Sequence, residues 1–273
     1  MTMYETMNYE VENGVAIITL NRPQVLNAIN RQMFAEWNRA FDVAAGDGGV
    51  RAILFAGAGR AFSAGHDMKE GAAERLVDPE DWRRVLKDTL DFGFKIWDCD
   101  KAVLAALHGY CLGQALQVAL ACDLIIAAKD ATIGEPEVRQ VTTSAFLMMP
   151  WIVGLQKSKE LLLTGDTVSG LEAERMGLVN KAVEADQVLS ETRKLAERIG
   201  KLPPAAVRLN KRAINKTYEI MGLRSAIGYN LEVLGLVHAI EAGTMAHSKF
   251  LEVQQSKGLK AALRVRDGDL SNG

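Results

Sequence analysis

The chain offers little with which to build a disulfide framework, a metal site, a nucleic-acid surface or a membrane span. Its 273 residues include only three cysteines, Cys99, Cys111 and Cys122. Their number is odd, their spacing is not that of a ligand set, and each stands among apolar neighbours. Small buried thiols in a reducing compartment are the expectation, with no metal site. Lys and Arg total 32 against 34 Asp and Glu, a formal net charge of -2. That balance lacks the basic excess of a nucleic-acid binder. Two late basic clusters, "RLNKRAINK" and "KGLKAALRVR", read as solvated helix faces, a phosphate-bearing small molecule being the sharper alternative. No apolar run reaches ~18 residues without a charge, so no membrane span is expected. The opening "MTMYETMNYE" has no basic patch leading into an apolar core, so no signal peptide is expected and the location expected is cytoplasmic.

What remains is an ordinary globular composition, 48% hydrophobic and 24% charged. The length suits one large domain, or a domain of ~200 residues with an appendage. "VAIITL" (15–20) follows the turn pair Asn13-Gly14 and is β-branched, the pattern of a hairpin strand. From Arg31 to Ala44 apolar residues recur at Met33, Phe34, Trp37 and Phe41, which is helix spacing. "VRAILFAG" reads as a buried strand, and a helix is expected from about Pro79 to Asp98, with Trp82, Val85, Leu86, Leu90, Phe94 and Trp97 on one face. "KAVLAALHG" and "DLIIAAKDATIG" return to strand. The repeated β-β-α order to about residue 140 argues for an α/β class with helix-covered sheets.

From Ser144 onward almost every segment reads helical, with stops at Gly154, Gly165, Gly177 and Pro203-Pro204. Ser169 with Glu172 three residues on has the form of a capping box. A last helical region, about Gly222 to Leu263 and broken by Gly243, is expected to be a lid or an oligomer surface. The second is preferred because Leu231, Leu234, Val237 and Ile240 need a partner. The division expected is a β-β-α core over residues 1–200 and a C-terminal helical oligomerisation or lid region over 201–273.

Two glycine-bearing loops, "AFSAGHDMKE" and "HGYCLGQAL", each leave a strand and enter a helix. Such turns expose backbone N–H groups where the helix dipole adds partial positive charge. Side by side, two of them would aim two donors at one oxygen, the arrangement that stabilises charge building on a carbonyl. From spacing alone this is a weak signal, since most strand-glycine-helix turns are merely turns.

The pieces "NRPQVLNAIN", "AGRAFSAGHDMKE", "HGYCLGQALQVALACDLIIA", "ATIGEPEV" and "LLLTGDTVSGLEAERMGLVNKAV" are more specific. In order and at family spacing they resemble the enoyl-CoA hydratase/isomerase (crotonase) family, over roughly residues 10 to 260. The resemblance implies a spiral of β-β-α turns followed by C-terminal helices that build a trimer, two trimers commonly stacking into a hexamer. It implies an acyl-CoA or enoyl-CoA thioester as substrate, with no cofactor beyond the coenzyme A of that substrate. The thioester oxygen lies between two backbone N–H groups, and the reaction passes through an enolate.

Carried over by position, the resemblance puts one donor at the N–H of His66, whose imidazole is expected towards solvent or CoA phosphate. The second falls on Gln114, within Gly113-Gln114-Ala115 where the family usually has three glycines. Val25, Leu26, Ala64, Asp67 and Met68 would line the adenine and pantetheine channel. Asp67 orders its loop in this reading, and Phe250 or a late lysine covers the nucleotide.

In the family's hydratases two glutamates flank a water. The second is retained as Glu137 in "GEPEV"; the first aligns with Gln117. An amide holds a water but exchanges no proton at neutral pH, which leaves Glu137 as the expected proton carrier. Glu135 is expected to be an exposed loop acid, although on an extended segment it would share a side with Glu137. His108 is read as closing a strand and Arg139 as pairing with a carboxylate, while His238 and His247 have no partner pattern. Related branches place an aspartate at the position of Ala145, or elsewhere in "VTTSAFLMMP"; its absence disfavours their chemistries. Three functions follow: hydration of an enoyl-CoA, Δ3-Δ2 isomerisation by Glu137 alone, or acyl-CoA binding without turnover.

Overall fold

The computed structural model describes residues 4–73, 79–139, 144–241 and 245–268. Its strands are β1 (Met7–Glu12), β2 (Val15–Leu20), β3 (Ala52–Gly57), β4 (Ala102–Leu107), β5 (Tyr110–Leu112), β6 (Leu124–Ala128), β7 (Thr132–Gly134), β8 (Val168–Ser169) and β9 (Lys181–Val183). Helices α1 (Arg31–Gly46), α2 (Met68–Ala73), α3 (Pro79–Trp97) and α4 (Gln114–Leu120) interleave with the strands, as do α5 (Met149–Thr164) and α6 (Gly170–Arg175). After β9 the regular elements among the described residues are helices: α7 (Val188–Gly200), α8 (Pro204–Ile220), α9 (Leu223–Glu241), α10 (Met245–Lys257) and α11 (Leu259–Gly268).

The strands form two sheets, one in the order β1-β2-β3-β4-β6-β9, the other in the order β5-β7-β8. Only β1 runs antiparallel in the larger sheet. Its hairpin turns through Asn13 (φ 52°) and Gly14 (φ 77°), the paired left-handed geometry that suits a two-residue connection. The chain climbs as a spiral: β4 lies in the large sheet, β5 three residues later in the small one, and β6 with β7 repeats the step. The segment "DLIIAAKDATIG", expected as one strand, is therefore two.

Parallel strands covered on both faces must be apolar throughout, and all six residues of β4 are buried. Helix α7 covers β3, β4 and β6. On the other side, Trp37 and Phe41 of α1 meet Phe55 of β3 and Phe92 of α3. The Trp37–Phe55 and Trp37–Phe92 centroids are 5.1 and 5.5 Å apart, both edge-to-face, the geometry aromatic quadrupoles favour. On α3, Leu90 is buried and Leu86, Phe94 and Trp97 pack against the core; the side chains of Trp82 and Val85 lie outside the described residues.

The expected stops have physical causes. Gly154 breaks α5 with φ 77° and ψ 176°, and Gly165 caps its end in the left-handed region. Ser169 and Glu172 form the reciprocal capping box. Gly243 lies outside the described residues. Two expectations need correction. Strands β8 and β9 lie within the stretch where almost every segment was expected to be helical, each too short to show a period of its own. Leu231 and Leu234 are buried within the chain, 6% and 0% exposed, because α9 packs on α3; they do not require a second subunit. The side chains of Val237 and Ile240, like those of His238 and His247, fall outside the described residues. No described helix is long and apolar enough to cross a membrane.

Candidate active site

The site grows from two adjacent turns. The segment leaving β3 runs beside β5: Ser63 N–H donates to the Tyr110 carbonyl at 2.9 Å, and Leu112 N–H donates to the Ser63 carbonyl at 3.1 Å. On its other edge, Ile29 N–H donates to the Gly65 carbonyl at 2.8 Å, and Asp67 N–H donates to the Ile29 carbonyl at 2.9 Å. Backbone groups alternate sides along an extended segment. With Gly65 C=O and Asp67 N–H turned to Ile29, the N–H of His66 points to the opposite edge, where β5 runs into α4.

Gly65 (φ 84°) and Gly113 (φ 53°) both adopt left-handed backbone, which glycine enters without steric cost. A Cβ on Gly65 would stand 2.5 Å from the Leu112 carbonyl oxygen and 3.6 Å from the Gln114 nitrogen. The turns are thus in contact, and Gln114, first residue of α4, contributes an N–H that the helix itself cannot use. Its side chain is held aside by a 2.8 Å hydrogen bond from Nε2 to the buried Thr89 hydroxyl.

Glu137 begins the acidic end of a short 3-10 turn, Pro136–Arg139, that follows β7. A Cβ on Gly113 would stand 2.2 Å from Glu137 Oε1, so the carboxyl leans on the bare glycine one residue from the Gln114 nitrogen. Its Oε2 is sealed from solvent without a hydrogen-bond partner. Burial pushes the Glu137 carboxyl up to about 7, against a smaller opposing pull from Arg266 of α11.

Glu135 overturns the expectation of an exposed acid. It is 2% exposed, held at the end of buried β7 where the chain has just passed Gly134. Its Oε2 accepts a 3.0 Å hydrogen bond from Gln117 Nε2, while Gln117 Oε1 accepts one of 3.1 Å from Ala145 N–H. A backbone N–H only donates, so this second bond fixes the orientation of the amide. Burial first, then the Glu137 charge, pushes the Glu135 carboxyl up to about 8. The Ser144 hydroxyl lies near enough to oppose that rise yet makes no well-formed hydrogen bond, and Glu135 Oε1 is likewise unpartnered. Two carboxyls therefore share the site, not the single one expected: Glu135 buried, and Glu137 half-buried with its Oε2 sealed. Residues 136–139 turn instead of extending, and Glu137 still lies close enough for its charge to act on Glu135.

The other expected residues gather around these loops. Val25 ends a 3-10 turn after which Leu26 takes φ 54°, and the Leu26 carbonyl accepts from Ala64 N–H at 2.9 Å. Asp67 receives Arg22 Nη1 at 2.9 Å and Lys69 N–H at 3.2 Å. Burial works against its ionisation, but these donors outweigh it and hold the carboxyl below its ordinary range. Arg22, absent from the sequence reading, also donates to the Ala28 carbonyl. Met68 opens α2, and its carbonyl accepts from Gln254 on α10 at 3.2 Å; Phe250 on the same helix is buried. The His66 side chain is exposed. His108 Nε2 lies 3.0 Å from the Gly59 carbonyl, Arg139 pairs with Asp166, and the cysteines are free thiols with Cys111 buried. Among the described residues no group of three or more His, Cys, Asp or Glu could hold a metal ion.

A spiral α/β chain with two glycine turns in contact and acidic side chains beside them has the form of an enzyme site, and the comparisons give the chain a family. The model of the enoyl-CoA hydratase/isomerase family matches residues 10–257, and the chain belongs to that family. It is 35% identical over 270 residues to a probable enoyl-CoA hydratase of Mycobacterium bovis, covering 96% of each chain. It is 31% identical over 255 residues to the short-chain-enoyl-CoA hydratase of Clostridium acetobutylicum, covering 92% of this chain and 96% of that one. The crystal structure of an enoyl-CoA hydratase/isomerase from Xanthobacter autotrophicus superposes with a TM-score of 0.94 at 38% identity, covering 98% and 99% of the two chains.

Proposed function

We propose that this chain adds water across the double bond of a 2-enoyl-CoA thioester. The single observation carrying the reading is the contact between the two turns, with the Glu137 carboxyl against Gly113. In this reading the thioester oxygen sits between the N–H groups of His66 and Gln114. Each donor lowers the barrier to the enolate by about 3 kcal/mol, the scale of one oxyanion-hole hydrogen bond. Glu137 takes the proton of the attacking water; burial tunes its acidity near neutral, where a general base is most effective.

Coenzyme A arrives with the substrate and no other cofactor is needed. Val25, Leu26, Ala64, Asp67 and Met68 line its channel in the proposal, with Phe250 and α10 closing over the nucleotide. The chain is proposed to work as a trimer or a dimer of trimers. Exposed apolar side chains support that state, among them Leu209 and Ile220, which are 58% and 77% exposed on α8. A second reading, Δ3-Δ2 isomerisation, is favoured by the amide at Gln117 in place of a carboxyl. Incubation with 2- and 3-enoyl-CoA esters in heavy-oxygen water separates the two by mass. Hydration incorporates one heavy oxygen; isomerisation changes retention without a change in mass. Neither product from any ester would overturn both readings.

A further inference from the structure

We propose that Glu135 is the second acid–base group of the site, supplying from the loop after β7 the carboxyl that α4 lacks at Gln117. The inference rests on the hydratase reading above and deepens it.

The chain shows what a structural buried carboxylate looks like. Glu36, 6% exposed, accepts from Glu5 N–H, Thr6 N–H, the Thr6 hydroxyl and Gln32 Nε2. Those donors outweigh its burial and hold it below the ordinary range. Glu135 is buried more deeply but accepts one well-formed bond, from Gln117, and its Oε1 has no partner. Among the described residues, the groups acting on it are the Cys111 thiol on β5, the Gln117 amide on α4, the Ser144 hydroxyl and the Glu137 carboxyl. None is a cation. A carboxyl so placed is better suited to holding a proton than to bearing a fixed charge.

The pair then divides the work of hydration. As the oxygen of water bonds to the β-carbon, its O–H bond breaks and that proton goes to ionised Glu137. The π electrons move to the thioester oxygen as an enolate. The enolate collapses when its α-carbon takes the proton from Glu135. Glu137 passes its proton on to Glu135, and the pair is restored with the elements of water added. Gln117 positions Glu135, donating to Oε2 while Ala145 N–H holds its own oxygen.

The test compares three proteins on crotonyl-CoA: the wild type, Glu135→Gln, and Glu135→Gln combined with Gln117→Glu. The first change is isosteric, and the double change exchanges acid and amide across one hydrogen bond. We expect Glu135→Gln to lower kcat at least roughly 10-fold, with KM within about threefold, and to remove one limb of the pH–rate profile. The double variant should regain more than about half of that loss on a logarithmic scale. A purely structural role predicts a lower melting temperature and raised KM with the pH profile unmoved. That result, a kcat loss under roughly 10-fold, or no recovery in the double variant overturns the proposal. A wild type that incorporates no heavy oxygen overturns the hydratase reading itself, and this role with it. An active wild type beside an unaffected Glu135→Gln overturns only the role of Glu135.

Discussion

Glu137 Oε1 occupies the space that a side chain on Gly113 would need, 2.2 Å from the position of its Cβ. The glycine is required twice over, by that contact and by its φ of 53°. Gly113→Ala must therefore move the carboxyl or the start of α4. The expected result is a fall in kcat of at least roughly 100-fold with KM changed far less, since the reacting group and not the CoA channel is displaced. Stability should fall by about 1–3 kcal/mol, the scale of a residue forced into the left-handed region. Steady-state kinetics and urea unfolding of the one variant read both.

Glu137→Gln keeps the shape and removes the proton carrier. Turnover should drop by roughly 10²–10⁴, the range assigned to a positioned acid–base group. Binding of a saturated acyl-CoA, followed by calorimetry, should persist, because the oxygen-binding N–H groups belong to the backbone. Activity equal to that of the wild type would remove Glu137 from the mechanism.

The two turns were legible in the sequence because strand, glycine and helix follow one another locally: "AFSAGHD" after β3 and "HGYCLGQAL" after β4. Gly154, Gly165 and the Ser169 capping box were legible for the same reason. Glu135 was not. Its burial depends on β7 pairing with β5 and β8, and on Gln117 and Ala145 arriving from elsewhere in the chain. No local pattern separates such a residue from a loop acid; the one available signal was the spacing Glu135-Pro136-Glu137. Thr89 and Arg22, which hold Gln114 and Asp67, were hidden similarly, each 25 or 45 residues from the group it holds.

The carboxyl pair also sets a pH dependence of stability. Both groups are raised above the ordinary 4.5, Glu135 to about 8 and Glu137 to about 7. In the unfolded chain each ionises near its ordinary value, so between there and the raised values the folded state binds more protons. Stability from these groups is present below about 4.5 and is lost as pH rises through about 7 and then 8. Melting temperature should fall between pH 5 and about 8.5 in the wild type and fall less in Glu135→Gln. A slope equal in both proteins would show that the pair does not titrate with folding.

Lys211 anchors α8 to the sheet. Its Nζ donates to the Ile96 and Lys101 carbonyls at 3.1 and 3.2 Å and to Asp123 Oδ2 at 2.8 Å, and its side chain is 7% exposed. Lys211→Ala takes the cation from Asp123, which keeps only Val103 N–H, and a donor from each carbonyl, of which Ile96 C=O retains Cys99 N–H; it should cost about 3 kcal/mol, the lower end of breaking a buried pair from one side. Adding Asp123→Asn should recover part of that loss. It removes the stranded charge while keeping an oxygen for Val103 N–H, which Asp123 Oδ2 accepts at 2.7 Å. Urea unfolding of the single and double variants measures the difference. A double variant no more stable than Lys211→Ala would mean that the two carbonyls, and not the carboxylate, make the lysine necessary.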